Sequence, residues 1–133
     1  PLVQASADLI GTSDVLIFVY PTWWSGLPAI LKGWIERVLV PGVGFTFDKQ
    51  TGKVRPGLTN VRHLIGISTY GSPRSAVRVI NDNGRRTIMR ALRLNCRPSV
   101  HTHWHGFYAI DTSTVEQRAE FAAQVERSMT ELR

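Results

Sequence analysis

Residues 14–40 read DVLIFVYPTWWSGLPAILKGWIERVLV, and this stretch decides the fold. Val15–Tyr20 is an unbroken apolar run rich in β-branched and aromatic residues, the pattern of a strand buried on both faces. Pro21–Leu27 is a polar and aromatic turn. From Pro28 to Val40, apolar residues at Ile30, Leu31, Trp34, Ile35, Val38 and Leu39 repeat at helical spacing, with proline in the first turn where its missing N–H costs nothing. A buried strand passing through a short loop into a helix is half of a βαβ unit. In open α/β sheets such loops lie at the carboxyl ends of the strands, where ligands bind. Trp23 and Trp24 stand side by side in this loop, flat apolar surfaces suited to a flat aromatic ligand.

Working outward, residues 2–10 read as the end of a helix stopped by Gly11, and Val40-Pro41 ends the helix that follows the first strand. Between 42 and 60, Val43, Phe45 and Phe47 alternate with small or polar residues. A turn over Asp48–Lys53 follows, predicting a small hairpin outside the main sheet and near the binding end. Val61–Ser68 is a second strand, and Thr69-Tyr-Gly-Ser-Pro73 is the turn after it, on the same rim as Trp23 and Trp24. Residues 74–82 are ambiguous. Asp82-Asn-Gly84 starts a helix over Arg85–Cys96, with Ile88 and Leu92 inward. Pro98 separates it from a third strand, Ser99–Trp104, which Gly106–Ile110 extends or exits. Ser113-Thr-Val-Glu116 has the form of a capping box for a last helix reaching about Leu132. Alternating helices and strands with right-handed crossovers predict an α/β fold: a three-layer αβα arrangement around a parallel sheet. Three strands make a thin sheet. With the first at its edge, the run VLIFVY needs covering, by chain preceding Pro1 or by another chain.

Composition bounds the function. The chain has 133 residues, 43% hydrophobic and 20% charged, which suits one globular domain. No apolar run approaches the length of a membrane span, and no secretory signal pattern is present. The single Cys96 forms no internal disulfide and has no activating neighbours, so it reads as a small buried residue in a protein of the reducing cytoplasm. The net charge of +6 rests on thirteen arginines against three lysines. The arginines are scattered, apart from a loose cluster at Arg85, Arg86, Arg90, Arg93 and Arg97 that makes no single stripe. It reads as a solvated face, and no nucleic-acid motif accompanies it. His101, His103 and His105 alternate along one strand and share a face. Neighbours on a flat strand face do not converge on one ion, and no acidic or cysteine cluster joins them, so no metal site is assigned.

The run Pro21-Thr-Trp-Trp-Ser-Gly-Leu-Pro-Ala-Ile-Leu-Lys-Gly-Trp-Ile-Glu-Arg-Val38 resembles the signature of the flavodoxin-like NAD(P)H:quinone oxidoreductases. That family includes DT-diaphorase and the bacterial modulator and potassium-efflux ancillary proteins. Gly44-Phe45, Thr69-Tyr-Gly71 and Gly106-Phe-Tyr-Ala109 follow at matching order and spacing. The resemblance implies a five-stranded parallel sheet in the order 2-1-3-4-5, of which this chain supplies strands 3, 4 and 5. Residues 1–133 then form the C-terminal two-thirds of a flavodoxin-like domain, without the N-terminal βαβ portion and its phosphate loop.

The resemblance further implies a flavin cofactor, FMN or FAD, with NAD(P)H as hydride donor and a quinone or similar electron-poor aromatic as acceptor. Pro21, Thr22, Trp23, Trp24 and Ser25 match the loop lining one side of the flavin ring, whose backbone N–H groups meet the ring edge. Thr69, Tyr70 and Gly71 match a second flavin loop, where Tyr70 replaces a common glycine and stands to stack on or gate the site. Phe45 and Phe47 match a segment that walls a neighbouring active site in dimeric relatives, implying a homodimer. His105 borders the nicotinamide or quinone pocket. No acid–base residue is required. The alternative on the same scaffold is a non-enzymatic regulatory or interaction subunit, or a flavin-free fragment.

Overall fold

The computed structural model describes residues 2–132. A parallel three-stranded sheet runs β1–β4–β5, formed by Val15–Pro21, His63–Thr69 and His101–Phe107. Helix α1 (Leu2–Thr12) precedes β1, and α2 (Ala29–Val38) follows the tryptophan loop. A separate antiparallel hairpin, β2 (Phe45–Phe47) with β3 (Val54–Pro56), interrupts the path to β4. After β4 come α3 (Arg74–Val79) and α4 (Asn83–Arg86). The latter continues through a π turn, Thr87–Ala91, and a 3-10 turn, Leu92–Asn95. Helix α5 (Val115–Thr130) closes the chain.

The register sorts the strand side chains into two faces. Leu16, Phe18, Tyr20, Leu64, Gly66, Ser68, Trp104 and Gly106 share the inner face. There Phe18, Tyr20 and Leu64 pack with Ile10 of α1, Val38 of α2, and Ile88 and Leu92 of the segment after α4. The other face carries Ile17, Val19, His63, Ile65, Ile67, His101, His103 and His105. Helix α5 lies over its β5 side, where Ser128 meets His105 at 3.1 Å and Phe121 stacks on Phe107 at 5.0 Å.

Several expectations need correction. β1 is buried on one face only: Phe18 and Tyr20 are buried, but Ile17 and Val19 are 48% and 71% exposed. An apolar run records which side chains can be buried, and α5 sits too far across the sheet to cover these two. Helix α1 runs through Gly11 to Thr12 instead of stopping at the glycine. The hydroxyls of Thr12 and Ser13 donate to the Leu9 carbonyl and tie off that end. The capping box falls one residue later than the Ser113–Glu116 pattern: the Thr114 hydroxyl accepts from the Gln117 N–H, and the Gln117 side chain accepts from the Thr114 N–H. Ser113 instead donates to the Ile110 carbonyl, closing the preceding turn. The segment read as one helix over Arg85–Cys96 is α, π and 3-10 in succession. The hairpin is closed at its base by Gly57 N–H to the Gly44 carbonyl, and Leu58 N–H to the Asn95 carbonyl ties that base to the segment leading into β5, at the amino end of the sheet and not at the rim.

The histidines stack along the sheet. His63 lies 5.4 Å from His101 and 5.7 Å from His103, ring to ring, and no His/Cys/Asp/Glu group among the described residues is arranged to hold a metal ion. Burial, then the His63, His105 and His101 rings, hold His103 below the ordinary imidazole range, and burial does the same for His105. A base with a lowered folded pKa favours folding while neutral. Its contribution is present above the unfolded value of about 6.5 and is lost as pH falls through the folded value. The melting temperature should therefore drop between pH 7.5 and pH 5.0, and His103→Leu should flatten that slope. An equal slope in the variant would remove His103 from the account.

Candidate functional site

The three strands end together, Pro21 opposite Thr69 and Thr69 opposite Phe107, so the loops beyond them form one rim. The first loop is tied to the second at its root: Thr22 N–H donates to the Thr69 carbonyl, and the Thr22 and Ser68 hydroxyls are bonded, both at 2.8 Å. Trp23–Gly26 then closes as a tight turn through reciprocal backbone bonds of 3.3 and 2.9 Å. Its central residues, Trp24 and Ser25, have φ of +49° and +60°, the left-handed geometry of a type I′ turn. Non-glycine residues there cost about 1–2 kcal/mol each. Trp24 is 99% exposed and Trp23 64% exposed. From the other side, the Ser25 carbonyl accepts from the N–H groups of Asn83 and Gly84, at 2.9 and 3.1 Å. Gly84 packs so closely that a Cβ there would lie 3.2 Å from the Gly26 carbonyl carbon and the Tyr20 hydroxyl. The loop is therefore strained, held at both ends, and presents its two indoles outward.

The second loop is braced differently. Tyr70 is only 2% exposed. Its ring stacks on Tyr108 at 4.6 Å and 11°, and its hydroxyl donates to Asp82 Oδ2 at 2.6 Å. Its N–H donates to the Phe107 carbonyl, and its carbonyl accepts from Ile110. Burial, reinforced by Asp82, raises the phenol well above its ordinary value, so it stays protonated as a donor. Tyr70 thus acts as a strut joining β4, β5 and the start of α4. Gly71 is exposed, with the Asp111 carboxylate against its Cα: a Cβ would lie 2.8 Å from Oδ2. The N–H groups of Trp24, Ser25, Gly71 and Ser72 have no acceptor within the chain among the described residues. Four free backbone donors beside two exposed indoles fit the polar edge and the flat face of a flavin ring.

The structure thus brings Pro21, Thr22, Trp23, Trp24, Ser25, Thr69, Tyr70 and Gly71 to one rim. It does not bring the other candidates there. Phe45 and Phe47 pack edge to face on the hairpin. His105 lies beneath α5 with its Nε2 engaged by Ser128. Sequence reasoning missed Asp82 and Tyr108. Asp82 was legible as a helix cap, and its Oδ1 does accept from Arg85 N–H. Nothing in the order of residues showed its second oxygen reaching back twelve positions to Tyr70.

A family model described as the flavodoxin-like fold matches residues 1–132. The chain belongs to the flavodoxin-like family. Among curated proteins it is 40% identical over 72 residues to a rat NAD(P)H dehydrogenase [quinone] 1, covering 54% of this chain and 26% of the relative. It is 39% identical over 70 residues to an uncharacterized NAD(P)H oxidoreductase of Haemophilus influenzae, covering 53% and 33%. The matched stretches span about a quarter to a third of the length of these relatives. Among solved structures, a Streptococcus mutans protein superposes with a TM-score of 0.78 at 27% identity, covering 96% of this chain and 66% of that one. An NAD(P)H:quinone oxidoreductase from Methanothermobacter marburgensis gives 0.74 at 20% identity, covering 98% and 64%, a likeness of fold.

Proposed function

We propose that this flavodoxin-like chain carries the ring-binding part of a flavin-dependent NAD(P)H oxidoreductase acting on quinones or similar electron-poor aromatics. The observation that supports it most is the pairing of exposed Trp23 and Trp24 with the free N–H groups of Trp24, Ser25, Gly71 and Ser72 on one rim. The names of its relatives point the same way. A bound flavin, FMN or FAD, would supply the two-electron chemistry, taking a hydride from NAD(P)H and delivering it to the acceptor. The chain's own residues do the rest. Trp23 and Trp24 offer flat apolar surface for the ring and shield it from water. The backbone donors meet the ring edge where negative charge develops, already oriented by the strained turn and its bonds to Asn83 and Gly84. Thr69 and Tyr70 fix the second loop, and the protonated Tyr70 phenol keeps Asp82 in place.

Phe45 and Phe47, far from the rim of their own chain, serve in this reading as walls of a partner's site in a homodimer. His105 contributes from behind the rim by holding α5. The protein acts in the cytoplasm. The test is direct: titrate FMN and FAD into the full chain, following quenching of flavin fluorescence, then follow NADPH consumption with a naphthoquinone. Saturable uptake and quinone-dependent oxidation are expected. Failure to take up either flavin would overturn the enzyme reading and leave a flavin-free interaction module.

A further inference from the structure

Beside the rim lies a cavity of about 840 Å³ between α3, α4 and Tyr108. Five arginines line it: Arg74 and Arg78 from α3, Arg85 and Arg86 from α4, and Arg90 from the π turn. The one carboxylate in the lining, Asp82, is already engaged through both oxygens, by the Tyr70 hydroxyl and by the Arg85 N–H. The two ion pairs formed among the described residues, Lys32–Glu36 and Arg55–Asp48, lie elsewhere. Four arginines outside the cavity are bonded: Arg37 donates to the Gly33 carbonyl, Arg55 to Asp48, Arg97 to Ser99 and Arg118 to Ser113. Within it, Arg74 lies over the Tyr108 ring at 5.9 Å and Arg85 over the Trp104 ring at 5.7 Å, contacts that orient a guanidinium without neutralising it. Five cations gathered around a single carboxylate leave a large excess of positive charge, and a phosphorylated ligand relieves the repulsion among them. The planar guanidinium fork also matches phosphate oxygens in pairs.

The cavity is continuous with the rim. Tyr108 stacks on Tyr70 of the second loop, and Asp82 immediately precedes Asn83 and Gly84, which hold Ser25 of the first. We propose that this cavity binds the phosphate groups of the hydride donor and selects the 2′-phosphorylated dinucleotide, NADPH, over NADH. The proposal rests on the oxidoreductase reading above. A 2′-phosphate adds close to two negative charges, and a cavity with five cations and one occupied carboxylate rewards that addition.

The experiment is calorimetric titration of the full chain with 2′,5′-ADP and with 5′-AMP, which differ by that phosphate alone, with FMN as a competitor. At least tenfold tighter binding of 2′,5′-ADP is expected, weakening steeply with salt. The double variant Arg78→Ala/Arg86→Ala should lose most of that preference while keeping its melting temperature, since both residues are exposed. Equal affinities for the two nucleotides, or a preference that survives in the double variant, would overturn the proposal. So would displacement of 2′,5′-ADP by FMN, which would assign the arginines to the flavin phosphate. Because no flavin or turnover is required, a preference for 2′,5′-ADP in a chain that takes up no flavin would uphold the phosphate site and sink the oxidoreductase reading alone.

Discussion

Gly66→Ala is expected to destabilise the fold by about 1–3 kcal/mol, the range for an overpacked core. Gly66 lies in the middle of β4, where glycine otherwise weakens a strand. The reason it stands there is the Trp104 ring, which lies across it from β5: a Cβ would come within 2.3 Å of Trp104 Cζ3 and 2.4 Å of Cε3. No rotamer of a methyl group avoids this, so the ring has to move. Moving it disturbs the edge contact with Tyr20 at 6.3 Å, the Arg85 guanidinium above it, and Met89, whose methyl would be 3.3 Å from the new Cβ. Chemical denaturation should show a lower midpoint with an unchanged slope. Trp104→Leu removes the obstructing ring, so Gly66→Ala should cost much less in that background. A double-mutant cycle with no coupling would mean that the strand, not the ring, resists the methyl group.

Local pattern carried the fold because it depends on signals a few residues long. The apolar run Val15–Tyr20, the proline-led helix and the turns after each strand were enough to order three parallel strands. What escaped depends on what another element does. Ile17 and Val19 belong to the same run as Phe18 and Tyr20, yet only a covering helix decides whether they are buried, and α5 covers β5 instead. The arginines show the same limit. Arg85, Arg86 and Arg90 make no stripe on their own helix, so they read as a solvated face. Arg74 and Arg78 come from α3, a segment whose structure the sequence left open, and the turn at Asn81 and Asp82 folds the two groups toward each other. The tryptophan loop was legible as part of the rim beyond the carboxyl ends of the strands. Its left-handed backbone was not, because Trp24 and Ser25 are residues a type I′ turn disfavours. Their presence against local preference marks the turn as serving something other than stability.

That contrast sets up the second large effect. Trp24→Gly should leave stability within about 1 kcal/mol of the parent. Glycine accepts the φ of +49° without the left-handed penalty, and this gain offsets the greater freedom it gives the unfolded chain. Almost no packing is lost, because the indole is 99% exposed. Flavin affinity should nevertheless fall about tenfold to a hundredfold, since stacking on one aromatic side chain is worth about 1–3 kcal/mol and each 1.4 kcal/mol is a factor of ten. Melting temperature and flavin titration, measured on the same preparation, separate the two. A packing role for Trp24 requires the melting temperature to fall, and a subunit contact requires the molecular mass in solution to change. A variant that melts like the parent, keeps its mass and loses flavin places the indole against the cofactor. A variant that binds flavin as tightly as the parent removes Trp24 from the site and leaves the backbone donors to account for binding alone.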